Sequence, residues 1–219
     1  MRLIIYLIFG IFTGLTVVST LKKYEKQEPE YGTLTAPVML MLVLISTLGF
    51  GLVYLGRTYN GFEAGVLLST AVAIWLLLTT SYMDQRCGKF HVVLLILAVS
   101  LEIGIVIVGV IMGRIFFSMP FILVIMIVHL LLFLMSIKGY SKGDFGILCV
   151  CQYAFLVVCP GDYLYAVFYT LLSAMLLFVL RNAFRIKKMK NTGRVRMPFT
   201  MYIAMGTYIS FINLWLKIL

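Results

Sequence analysis

The chain has 219 residues, of which 63% are hydrophobic and only 12% charged, with a net charge of +10 and a mean hydropathy of +1.08. Soluble domains average nearer half apolar and a quarter charged, so an ordinary water-soluble enzyme is excluded and the bilayer enters as a second apolar solvent. A transmembrane β-barrel would need apolar residues in period-two alternation, whereas residues 92–110 and 121–135 are apolar in long runs. The composition therefore predicts an all-α fold, a polytopic transmembrane helical bundle of about eight helices.

Taken in chain order, the first predicted helix covers residues 3–20. Its start, Met1-Arg2-Leu3-Ile4, resembles a secretory signal, but the apolar stretch continues to Thr20 and ends at Leu21-Lys22-Lys23 without a small-x-small cleavage site. That is longer than a signal-peptide core, so it reads as a retained helix. Further spans are predicted at 38–55, 64–83, 91–112 and 116–137, then at 145–160, 163–183 and 199–217, each near the ~20 residues that cross a bilayer. The sixth is the shortest. Short polar breaks separate them and no repeat is visible, which predicts one integral membrane domain over residues 1–219.

The basic residues orient this domain. The first, third, fifth and seventh connections hold Lys22, Lys23 and Lys26, then Arg86 and Lys89, then Lys138 and Lys142, then a cluster from Arg181 to Arg196. The other connections hold only Arg57 and Arg114. By the positive-inside rule the richly basic connections are cytoplasmic, which predicts a multi-pass protein of the cell (cytoplasmic) membrane with both termini extracytoplasmic. The positive charge is accounted for by topology and anionic headgroups, so no nucleic-acid partner is expected. Cys87, Cys149, Cys151 and Cys159 form no CxxC pair, and neither a metal nor another cofactor is expected.

Only eight carboxylates are present. Glu25, Glu28 and Glu30 lie among lysines in the first connection, where a solvated loop is the plain reading. Glu63 falls at a helix start, favourable to the helix dipole. Glu102 lies mid-span with His129 in the next span, and polar groups in that setting are functional candidates, although bonds to a neighbouring helix would also explain them. Asp162 sits in a Pro-Gly-Asp turn on the opposite side. Asp84 and Asp144 share a property no other pair has: each lies at a cytoplasmic helix boundary, with two spans between them. Two spans return the chain to the same face, so helix packing can bring the two carboxyls together. A pair of aspartates suits peptide hydrolysis, because close like charges leave one group protonated while the other activates water. Helix caps or interfacial anchors would also account for such residues.

The order of these features resembles the type IV prepilin peptidase family of GxGD-type intramembrane aspartyl proteases. Its first aspartate, at a helix end before a short basic stretch, is matched by Met83-Asp84-Gln85-Arg86-Cys87-Gly88-Lys89. Its Gly-x-Gly-Asp motif is matched by Ser141-Lys142-Gly143-Asp144, with Ser141 in place of the first glycine. Its C-terminal Pro-Phe motif is matched by Pro198-Phe199. The resemblance covers about 64–210. It implies an aspartic endopeptidase with catalytic Asp84 and Asp144, removing the basic leader of prepilin or pseudopilin-like substrates at the cytoplasmic face. On this reading Glu25, Glu28 and Glu30 are candidate contacts for that leader. The connection at 21–37 is short and lacks the cysteines of the family's zinc-binding insertion, so N-methyltransferase activity is unsupported. Two other readings stay open. One is a small transporter or channel with Glu102 and His129 along its path. The other is a catalytically silent scaffold for pilus or secretion assembly.

Overall fold

The structure, a computed structural model, describes residues 2–27, 33–57, 61–87, 90–115, 119–138, 142–189 and 199–218. These residues form eight α-helices: α1 (Arg2–Gln27), α2 (Ala36–Gly56), α3 (Glu63–Cys87), α4 (Val92–Ile111), α5 (Met119–Lys138), α6 (Lys142–Val158), α7 (Tyr163–Met189) and α8 (Thr200–Ile218). A single 3₁₀ turn, Pro160–Asp162, joins α6 to α7, and no strand occurs among the described residues. The all-helical expectation is met. Five segments are long and apolar enough to cross a membrane: α1, α2, α3, α4 and Pro160–Arg181. Helix α6 is apolar but has only 17 residues, about 26 Å of helix against a hydrocarbon core of about 30 Å.

Local chemistry sets several of the ends. Pro37 lies in the first turn of α2, where its missing N–H removes no helical bond. Helix α4 stops because Gly113 takes a left-handed conformation (φ +63°). The Gly113 N–H then donates to the Val110 carbonyl and the Arg114 N–H to the Gly109 carbonyl, closing a Schellman motif. Helix α1 runs beyond its apolar stretch through Lys22-Lys23-Tyr24-Glu25, since lysine and glutamate are good helix formers and need no apolar burial to stay helical.

Helices α3 and α6 form the centre. Helix α3 touches α1, α2, α4, α6 and α8, while α6 touches α3, α4, α5, α7 and α8. Leu76, Leu77 and Met83 of α3 and Ile147, Val150 and Phe155 of α6 are fully buried there. Two hairpins flank this pair. In the α1–α2 hairpin, Gly10 and Gly14 face α2 so closely that a Cβ would lie 2.7 Å from Thr47 Cα and 2.6 Å from Val43 Cα. This is the small-xxx-small packing by which membrane helices bring their backbones together, and Ser46 Oγ donates to the Gly10 carbonyl at 2.8 Å across the same seam. In the α7–α8 hairpin, Gly206 lies against the Thr170 carbonyl and Thr170 bonds Ser210 at 2.8 Å. The outer surface is apolar: Phe12 is 63% exposed, Leu48 65% and Val93 69%. In water such a surface would associate non-specifically, and in a bilayer it is the solvated one.

Candidate functional site

Asp84 lies in the last turn of α3 and Asp144 in the first turn of α6, and both are buried, at 5% and 7% exposure. The start of α8 ties their surroundings together. Thr200, its first residue and fully buried, donates its hydroxyl to Asp144 Oδ1 at 3.3 Å. The next residue, Met201, receives the Gln85 side-chain amide on its sulfur, directly beside Asp84. Consecutive residues of one helix thus touch Asp144 on one side and the neighbour of Asp84 on the other, and the two aspartates lie at the same end of the bundle. The helix dipoles treat them unequally: the positive end of α6 meets Asp144, and the negative end of α3 meets Asp84.

Phe199 immediately precedes α8, is buried, and packs edge-on against Phe178 of α7 at 5.4 Å between ring centroids. Gly143 makes room for a ring: a Cβ there would come 2.5 Å from Phe90 Cζ. Gly146, one turn on, meets Leu95 in the same way. The segment leading into α4 therefore lies against the first turns of α6, and the glycine before Asp144 makes the approach possible. Lys142 is the first residue of α6. Ser141 and Pro198 lie outside the described residues.

Among the candidate leader contacts, Glu25 belongs to this end, where its Oε2 accepts the Leu34 backbone N–H at 3.2 Å. That bond ties the end of α1 to the residues entering α2. Beside it Tyr24 stacks on His91 at 4.3 Å. Glu28 and Glu30 lie outside the described residues.

The remaining acidic groups stand apart from this site. Glu102 is fully buried in α4 and accepts the Ser69 hydroxyl of α3 at 2.7 Å, a bond to a neighbouring helix. His129 Nδ1 faces the Ile125 carbonyl of its own helix at 2.9 Å. Glu63 does more than complement a helix dipole. Arg57 grips it with two contacts of 2.8 Å, Tyr6 donates to its Oε2 at 2.8 Å, and the Arg57 guanidinium stacks over Tyr6 and Tyr54 at 4.6 and 4.7 Å. This cluster joins α1, α2 and α3 at the end away from the aspartates. The four cysteines are free thiols, and among the described residues no three His, Cys, Asp or Glu side chains gather as metal ligands.

Sequence reasoning missed Thr200 and Met201 as parts of the site. Their signal was a hydroxyl residue directly following Pro198-Phe199, at the start of a helix that had to return to the aspartate end. No protein-family model, curated protein or solved structure matches the chain.

Proposed function

We propose that this chain is an intramembrane aspartic endopeptidase of the prepilin peptidase type, built on about eight membrane spans in the cell membrane. It removes the basic leader of prepilin or pseudopilin-like proteins. The observation that supports the reading is the burial of Asp84 and Asp144, each by more than nine-tenths, at one end of the bundle, where the first residues of α8 touch Asp144 through Thr200 and Gln85, the neighbour of Asp84, through Met201. Burying a carboxyl at the end of a largely apolar bundle is costly, and two such groups at the same end are suitable acid–base machinery.

The aspartate end is the cytoplasmic face on this reading, because the connections richest in lysine and arginine join the helices there. Both chain termini then lie on the other side. A substrate with a basic leader followed by an apolar helix crosses from water to lipid at this depth. Asp144, at the positive end of α6, takes the water proton as the oxygen attacks the scissile carbonyl. Asp84, at the negative end of α3, gives its proton to the leaving nitrogen. No cofactor takes part.

The test is co-expression with a prepilin-type substrate from the same genome, following the leader by gel shift. Asp84→Asn and Asp144→Asn should each lower cleavage at least about a hundredfold at normal membrane levels of the protein. Cleavage undiminished in either variant removes that residue from the reaction.

A further inference from the structure

A groove of about 720 Å³ runs between α2, α3 and α8 from the aspartate end into the apolar part of the bundle, a size typical of ligand clefts. We propose that it is a binding site for one anionic phospholipid, with the phosphate on Arg86 and an acyl chain inside. This inference rests on the chain being a membrane protein and is independent of the protease reading.

The α3 wall consists of Leu78, Ser81, Tyr82, Gln85 and Arg86, spaced along one helix face. From the rim inward they run from charge to hydroxyl to hydrocarbon. Arg86 is exposed at the rim with its guanidinium 5.5 Å from the Tyr82 ring. One turn deeper lie the Ser81 and Tyr82 hydroxyls. Ser81 is 9% exposed, and neither hydroxyl oxygen has a hydrogen-bond partner among the described residues. These oxygens lie just beneath the groove wall, so the level below the charged rim is polar in character before the walls become hydrocarbon. Beyond them the walls are apolar and include Met41 and Met205, whose flexible thioethers adapt to a chain of no fixed shape.

This order matches a phospholipid: phosphate outermost, ester carbonyls next, hydrocarbon last. Charge selects among occupants. Among the described residues no carboxylate lines the groove, and a second guanidinium, that of Arg181, reaches Met201 at the same rim with 3.5 Å between Nη1 and the sulfur. A basic peptide segment would meet two like charges. A second copy seated symmetrically would bring its own arginines to the same rim. An anionic headgroup is complementary, and a guanidinium offers it paired donors.

Native mass spectrometry of the delipidated full chain in detergent tests the proposal with phosphatidylglycerol, phosphatidylcholine of the same acyl chains, and inorganic phosphate. One phosphatidylglycerol should be retained about tenfold more strongly than phosphatidylcholine, whose own choline cation offsets its phosphate and meets the two arginines as a like charge, and phosphate alone should not be retained. Arg86→Gln should bring phosphatidylglycerol down to the phosphatidylcholine level. Ala204→Phe, which narrows the groove, should weaken both lipids, with helicity by circular dichroism unchanged. Equal retention of the two lipids with no effect of Arg86→Gln overturns the proposal, as does phosphate binding as well as phosphatidylglycerol. An uncharged apolar helical peptide that displaces phosphatidylglycerol and still binds the Arg86→Gln protein also overturns it, in favour of a peptide groove. So does a lipid-free dimer that Ala204→Phe dissociates.

Discussion

The Thr200 hydroxyl donates to Asp144 Oδ1 at 3.3 Å, from the first residue of α8 to the first turn of α6. It orients the carboxyl. Thr200→Val keeps the shape and deletes the donor. We expect about a tenfold fall in kcat/KM for leader removal, the size of one lost hydrogen bond to a charged partner. Thr200→Ser should restore most of it. Unchanged kinetics in the valine variant would show that Asp144 needs no such orientation.

Gly143 tests the packing that supports the same carboxyl. A leucine there drives its Cβ into the Phe90 ring, an overpacking that costs about 1–3 kcal/mol. Thermal unfolding in detergent should show Gly143→Leu destabilised, and Phe90→Ala in the same chain should recover part of the loss. Such coupling between touching residues is a departure from additivity. Simple addition of the two penalties would contradict the contact.

The α1–α2 seam leaves less room for adjustment, because the atoms facing Gly10 and Gly14 are backbone. Gly14→Leu should separate the helices and lower the unfolding temperature of the detergent-solubilised protein, whereas Gly104→Leu, where a Cβ meets nothing within 4 Å, should be tolerated. Equal effects at both positions would remove the close approach as the cause.

The pair of Arg57 and Glu63 gives a prediction at the other end of the bundle. Arg57 is 9% exposed and Glu63 about a third exposed by side chain, so the pair is partly screened. Arg57→Gln should cost about 1–3 kcal/mol, less than a fully buried pair. Leader cleavage should persist, since the cluster lies away from the aspartates. Loss of cleavage with full stability would tie this cluster to the reaction.

The helices were legible because long apolar runs have one stable solution in lipid, and Asp84 and Asp144 stood out because charges are scarce in such a chain. What the sequence concealed depends on side-chain meetings across the fold. Nothing local to Thr200 says that it will face Asp144, 56 residues away. Arg57 and Glu63 straddle a turn and were weighed singly, so their ion pair was missed. The Gly10–Gly14 spacing was visible, but glycines at that interval matter only once a partner backbone lies against them. Glu25 looked like a free carboxylate among lysines, yet its Oε2 takes a backbone N–H at the entry to α2.

The proposed chemistry requires the carboxyls of Asp84 and Asp144 to meet. The direct measurement is cross-linking in native membranes of Asp84→Cys/Asp144→Cys, in a chain whose own four cysteines are replaced by serine or alanine. Asp84→Cys/Asp162→Cys serves as the control from the opposite end. We expect rapid disulfide formation under mild oxidant for the first pair and none for the second. No cross-link between positions 84 and 144, in a protein that remains folded and inserted, would contradict the account.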